Sequence, residues 1–348
     1  MDHPEITVTM PAYNRADLIS RAIESVQSQT MSAWELVIVD DGSTDATLEI
    51  AHGYAKSDKR IKVFQNEHNM GIGKTRNHAL RRSTGRFITP LDSDDWYQPV
   101  RLERMLAAAD EHGADLLSDD LLVIRHGDET PSATLSELCG EALLETLEID
   151  MAGLLRRLGF ERDGIALGLT KPLIRRQFLI DHGIEYDTTL QVVEDYWMLA
   201  DCVAAGAKFV IIPEAHYYYR LHAAHTTNAA NSQKDIVSTK RRLEAFLATE
   251  VAAKDSEAAD YARYHVRRMD LLSSYSIFTN SIKARHLHKA ALEVARHPSV
   301  LGEFASRLPL VLERRRRARK GDPFAFDPLS GGHRSRKVPA SAGRSTRR

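Results

Sequence analysis

The sequence predicts an α/β fold, a doubly wound and mostly parallel sheet flanked by helices. Two observations carry that expectation. Over the first 125 residues, short apolar runs of strand type alternate with stretches of helical period. Two acidic groups, Asp40-Asp41 and Asp92-Ser93-Asp94-Asp95, each follow directly on such a run. They would stand at strand C-termini, where open α/β sheets hold their ligands.

The elements follow in order. Ile6 to Met10 reads as a strand, and Ala16 to Gln29 as a helix with Leu18, Ile19, Ala22, Ile23 and Val26 on one face. Glu35 to Val39 is continuously apolar, as in strands covered on both sides. Ser43 or Thr44 is placed to cap the next helix, to about Lys56. Ile61–Gln65, Arg86–Leu91 and Ala114–Ile124 read as strands, with helices over Gly73–Arg82 and Pro99–His112 between them. This alternation predicts parallel, right-handed crossovers. From 126 to 170 the pattern weakens. Leu173–His182 and Val192–Ala204 read as helices, and Phe209–Ile212 as a short strand ended by Pro213. After about residue 232 only helical patterns remain, to about Arg317. The expected division is a catalytic domain at 1–230, a helical extension at 231–313 and a basic, disordered tail at 314–348.

Charge is unevenly spread. Residues 314–348 hold 12 Lys and Arg against Asp322 and Asp327, a net +10, whereas the first 313 residues carry −11. Such a tail is suited to an anionic partner, and Leu301–Leu312 before it is moderately amphipathic, so an anionic membrane surface is expected. No aromatic-rich platform accompanies the basic run, so nucleic acid is not expected as a partner. Two cysteines, Cys139 and Cys202, make no disulfide framework, which points to the reducing cytoplasm. Met1-Asp-His-Pro-Glu5 runs straight into the first strand, so no secretory leader is expected. No apolar run approaches the roughly 18 residues of a membrane span.

The acids supply the chemistry. Asp92 and Asp94 are two apart, so on an extended segment both carboxylates face one side and can share a cation. Oxygen ligands select Mg²⁺ or Mn²⁺, ions commonly shared with substrate phosphates. Asp41, at a strand end before Gly42 and a helix, is placed to read a base or ribose, or to favour the helix dipole. Gly73-Lys74-Thr75 resembles the end of a phosphate-binding loop, but His68 stands where that pattern needs glycine. Lys74 or Arg76 can still meet a diphosphate near a helix N-terminus. Glu194 and Asp195 open an otherwise apolar helix, either as dipole partners or with a general base among them. His222 and Arg220, in Tyr217-Tyr-Tyr-Arg-Leu-His222, are candidate phosphate or metal contacts.

In order, Met10-Pro-Ala-Tyr-Asn14, Ser28-Gln-Thr30, Val39-Asp-Asp-Gly-Ser-Thr-Asp45, Asn69-x-Gly71, Arg76-Asn77, Thr84-Gly85, Leu91-Asp-Ser-Asp-Asp95 and Glu194-Asp195 resemble a family 2 glycosyltransferase over residues 5–225. The resemblance implies a GT-A-type fold and a UDP-sugar donor. It implies nucleotide-sugar contacts from Pro11, Tyr13, Asn14, Asp41, Lys74, Arg76, Asp92 and Glu194. Metal contact falls to Asp94, with Asp92 and His222, and the catalytic base to Asp195. It implies inversion in one displacement. The Gln-x-x-Arg-Trp signature of processive members is absent, so one sugar per cycle is expected. Length and tail are similar to bacterial exopolysaccharide enzymes of the succinoglycan type. That likeness implies glucose transfer to a lipid-linked glycan by a peripheral protein at the inner membrane face. Two other classes fit the sequence less well. A non-catalytic scaffold would have little need for Asp41, Asp94 and Asp195 together. A nucleotidyltransferase would want a Gly-rich loop after the first strand, where Pro11-Ala-Tyr-Asn-Arg15 has no glycine.

Overall fold

The computed structural model describes residues 3–125, 128, 130–140, 142–158, 165–190, 192–221 and 233–320. The chain divides into two compact units, Met1–Leu221 and His222–Arg348.

In the first unit β1 (Ile6–Ala12), β2 (Trp34–Asp40), β3 (Ile61–Gln65) and β4 (Phe87–Pro90) pair in parallel, in the order β3-β2-β1-β4. Every residue of β1 and β2 is buried, as expected of strands covered on both faces. The crossovers are α1 (Ile19–Gln27), α2 (Thr47–Ser57) and α3 (Ile72–Arg82). Helix α1 buries Ile19, Ala22, Ile23 and Val26, the 3.6-residue stripe read from the sequence. The two-residue β5 (Trp96–Tyr97), α4 (Arg101–His112) and β6 (Leu116–Arg125) follow. Then come β7 (Ala133–Thr134), α5 (Leu135–Leu138), β8 (Leu147–Ile149) and α6 (Met151–Arg156). The unit closes with β9 (Leu173–Arg175), α7 (Arg176–His182), α8 (Glu194–Ala204) and β10 (Phe209–Leu221).

Three expectations are corrected. Residues 173–182 are not one helix, because Leu173–Arg175 forms β9, antiparallel to both β4 and β6. Leu173 and Ile174 are buried there, and a three-residue strand is too short to show its period. Pro213 does not end β10, which runs 13 residues. The register with β6 slips between Ile212 and Ala215 and again before Tyr217, so the proline sits in a bulge that needs no N–H from it. Neither Ser43 nor Thr44 caps α2. Their groups engage Asn14, and Asp45 Oδ1 instead accepts from the Thr47 N–H at 3.0 Å.

The parallel strands end together. Asp41 N–H donates to the Ala12 carbonyl at 2.8 Å, and Leu91 N–H to that of Thr9 at 2.9 Å. The loops at 13–15, 41–45 and 91–95 therefore leave one edge of the sheet side by side. Two glycines are steric necessities. A Cβ on Gly85 would stand 2.6 Å from the Thr7 nitrogen, and Gly42 has φ +75 with the His68 backbone 2.9 Å from its missing Cβ.

The second unit is helical where described: α9 (Gln233–Leu247), α10 (Glu250–Lys254), α11 (Ser256–Lys283), α12 (Leu287–Arg296) and α13 (Ser299–Arg319). Phe278, Ala290 and Val300 form its core, with Phe304 packed against them. Glu303 is almost fully buried and held by Arg268 at 2.8 and 3.0 Å and by Arg307 at 2.5 Å. Burial would raise this carboxyl, but the two guanidiniums bring it down to about 2. Helix α13 continues to Arg319, so the first residues of the segment expected to be disordered are helical. Arg and Ala propagate a helix, and cations suit its C-terminus. Residues 321–348 lie outside the described residues.

Candidate active site

The first wall is built from the ends of β1 and β2. Pro11 is buried in β1 opposite Val39, and Tyr13 is 41% exposed beyond it. Asn14 has φ 51, in the left-handed region that Asn tolerates. There its N–H donates to Ser43 Oγ at 2.9 Å, and its Oδ1 accepts from the Thr44 N–H at 2.8 Å.

Asp41 faces the start of α3. Its Oδ1 accepts from Asn66 Nδ2 and from the Met70 N–H, both at 2.8 Å, and its Oδ2 from the Gly71 N–H at 3.0 Å. The acid thus holds the Asn69–Gly71 turn, with Oδ2 the less engaged oxygen. Lys74, exposed on α3, lines with Asn66, Met70, His78, Arg81 and Arg82 a cleft of about 500 Å³.

Arg76, two residues further along α3, points elsewhere. It is buried, and its Nη1 donates to Asp195 Oδ1 while Nη2 donates to Asp92 Oδ1 at 3.0 Å. Glu194 Oε1 lies 3.8 Å from the same guanidinium. Burial disfavours the Arg76 charge, but Asp92, Tyr186 and Glu194 outweigh it and raise its pKa. The helix is fixed on this side by Asn77, which exchanges two 2.8 Å bonds with the Tyr186 backbone. The sequence pair Arg76-Asn77 therefore has two tasks, one electrostatic and one structural.

The Asp-Ser-Asp-Asp run splits three ways. Asp95 is internal, accepting from Tyr217 Oη at 2.7 Å and from the Arg220 N–H at 2.8 Å. Burial, then Asp94 and Asp92, push its pKa well above the ordinary carboxylate range. Asp94 pairs with Arg15 at 3.5 Å. Asp92 meets Arg76 and, through Oδ2, Lys171 Nζ at 2.9 Å. Each of the two carboxylates is thus turned to protein cations, Asp92 to Arg76 and Lys171 and Asp94 to Arg15. Among the described residues no three His, Cys, Asp or Glu side chains converge as a metal set. The donor chemistry nevertheless fits Mg²⁺ or Mn²⁺, which commonly take one or two carboxylates and complete their shell with water and substrate phosphate. His222 lies outside the described residues.

Helix α8 presents the last acids. Asp195 Oδ1 meets Arg76 and Oδ2 meets Lys171 Nζ at 2.9 Å. Glu194 is buried, which raises its pKa against the opposing pull of Arg76, and its Oε2 has no hydrogen-bond partner. Arg15, Asn66, Lys171 and Tyr217 escaped sequence reading. Lys171 precedes a strand that reads as helix and follows a stretch without period, so no local pattern marks it.

The family model described as glycosyl transferase family 2 matches residues 7–152. A succinoglycan biosynthesis protein of Rhizobium meliloti, ExoU, is 31% identical over 312 residues, covering 86% of this chain and 86% of its own. The chain belongs to glycosyl transferase family 2. A second family relative, the succinoglycan biosynthesis protein ExoO of the same organism, is 29% identical across 98% of this chain and 94% of its own. Among solved structures, S. aureus TarS 1–349 in complex with UDP-GlcNAc superposes with a TM-score of 0.64 at 23% identity, over 92% of this chain and 89% of that one. A mannosyltransferase from Pyrobaculum calidifontis, in complex with GDP-Man and Mn²⁺, gives 0.53 at 16% identity, covering 94% of this chain and 86% of that one. These likenesses establish the GT-A fold, with its central sheet and flanking helices.

Proposed function

We propose that this family 2 glycosyltransferase moves one sugar per cycle, glucose, from a UDP-sugar to a hydroxyl of a lipid-linked glycan in exopolysaccharide synthesis. The observation that carries the reading is the closed cluster of Asp92, Arg76, Asp195 and Lys171. It joins four segments distant in sequence. The UDP-GlcNAc complex of TarS supports a UDP-sugar donor, and the succinoglycan relatives support the pathway.

In this reading Asp195 accepts the proton of the acceptor hydroxyl as its oxygen attacks the anomeric carbon. The bond from that carbon to the diphosphate breaks on the opposite face. Its electron pair leaves with UDP, and the configuration inverts. Asp41 and the Pro11–Asn14 loop hold the nucleoside, and Arg76, Asp92 and Glu194 border the sugar. Lys74 meets the nucleotide from the other face of α3. Asp94, aided by Asp92, would hold a divalent ion, which supplies charge compensation for the departing diphosphate. Holding donor and acceptor in line contributes much of the remaining rate.

A screen of UDP- and GDP-sugars for UDP or GDP release with Mn²⁺ present tests the assignment, followed by determination of the product linkage. Release from GDP-sugars alone would overturn the donor class. In calorimetry, Asp94→Ala should lose at least about tenfold in Mn²⁺-dependent UDP affinity. Unchanged affinity would remove Asp94 from the metal site.

No helix among the described residues is long and apolar enough to cross a membrane. Access to a lipid-linked acceptor is instead assigned to α13, where Leu301, Leu308 and Leu312 are exposed along one stripe and Arg315 and Arg319 continue it. Each basic residue near an anionic surface contributes roughly 1 kcal/mol. Truncation after Glu313, which removes the basic residues and leaves the leucines, should sharply weaken sedimentation with phosphatidylglycerol vesicles while sparing turnover of a soluble acceptor. Undiminished sedimentation would refute the docking role.

A further inference from the structure

We infer that Lys171 is a positioning residue for Asp195, an inference that rests on the base role proposed above. Lys171 Nζ lies 2.9 Å from both Asp92 Oδ2 and Asp195 Oδ2, with only 4% of its side chain exposed. Together with Arg76 it closes a ring in which cations and carboxylates alternate: Arg76, Asp92, Lys171, Asp195. Each oxygen of Asp195 meets a different cation. The carboxylate therefore has one defined rotation about its side chain, where a single contact would leave several.

The ring is anchored from behind. The Lys171 carbonyl accepts from Arg101 Nη2 at 2.6 Å. Arg101 is wholly buried and bound to Asp119 through two bonds, at 3.0 and 2.8 Å. The preceding residue, Thr170, is itself held, its Oγ1 donating to the Leu167 carbonyl at 2.7 Å. Lys171 is thus a long side chain with an immobilised root, and from it the ammonium reaches both acids. Asp92 would keep the Lys171 ammonium in place while Asp195 takes up a proton.

A residue that works through Asp195 loses its effect when Asp195 can no longer act. The test is a double-mutant cycle, with turnover read as UDP release from UDP-glucose with Mn²⁺. Lys171→Met should lower kcat by roughly 10- to 100-fold, the scale of a misplaced catalytic group. The donor KM and the UDP dissociation constant should stay within about threefold, because the binding contacts remain. In an Asp195→Asn background the same substitution should lower kcat by less than about twofold. Lys171→Arg, which keeps the charge, should recover part of the loss. If Lys171→Met does not fold, Lys171→Gln serves in the same cycle.

Three results would overturn the inference. One is unchanged kcat in Lys171→Met while Asp195→Asn is inactive, which leaves the base reading intact. The second is a raised donor KM at unchanged kcat, which makes Lys171 a donor contact. The third is an equal loss in both backgrounds. Full activity of Asp195→Asn would instead remove the base reading itself, a failure distinguishable from these.

Discussion

Asp195→Asn should fold, bind UDP with affinity within about threefold of the parent and lose about 10³-fold in kcat. The loss follows from chemistry, since a carboxamide keeps the shape of the carboxylate but has no basic oxygen for a hydroxyl proton. Folding should survive because Arg76 and Lys171 each retain Asp92, at 3.0 and 2.9 Å. The amide does turn a donor toward one of the two cations, which should cost about 1 kcal/mol of stability and no more. Stopped assays of UDP release, with calorimetry of UDP binding on the same preparation, separate the two quantities. Turnover within tenfold of the parent would remove Asp195 from the base role. A parallel collapse of UDP affinity would make Asp195 a binding group.

Much of this site was legible because it lies at strand ends. Apolar runs locate the strands, and an acid following such a run must emerge at the edge of the sheet. Asp41, Asp92 and Asp94 read as candidates on that basis, and Asp195 as one of two acids opening an apolar helix, singled out as the base by the resemblance. What one sequence does not carry is the partner of each charge. Asp92 and Asp94 read as a matched pair, yet the turn at 92–95 sends one to Arg76 and Lys171 and the other to Arg15. Asp95 belongs to the same acidic run, but Tyr217, 122 positions away, claims it inside the fold. Lys74 and Arg76 read as interchangeable, although two residues on a helix differ by about 200° in direction. Local pattern also fails at β9 and β10, where three residues are too few to show a period and a bulge absorbs a proline.

Removing Asp119 should do the largest damage to stability. Asp119 and Arg101 are both wholly buried, joined by bonds of 2.8 and 3.0 Å. Burial disfavours the Arg101 charge. Asp119 is the main group that keeps it, with the Tyr97 and Tyr217 rings 4.4 and 5.2 Å from the guanidinium carbon adding to its hold. Asp119→Ala leaves that cation uncompensated in the interior, at a cost of roughly 3–5 kcal/mol. In a domain of this size that lowers the melting temperature by about 10 °C. Urea denaturation of the full chain measures it, and a loss below about 1 kcal/mol would show that water or another acid reaches Arg101. The double replacement Arg101→Met with Asp119→Leu fills the same space without charge and should regain most of the stability. It should not regain turnover, because the Lys171 carbonyl loses its 2.6 Å donor and the root of the ring is released. A double variant that is both stable and fully active would show that the buried pair serves the fold alone.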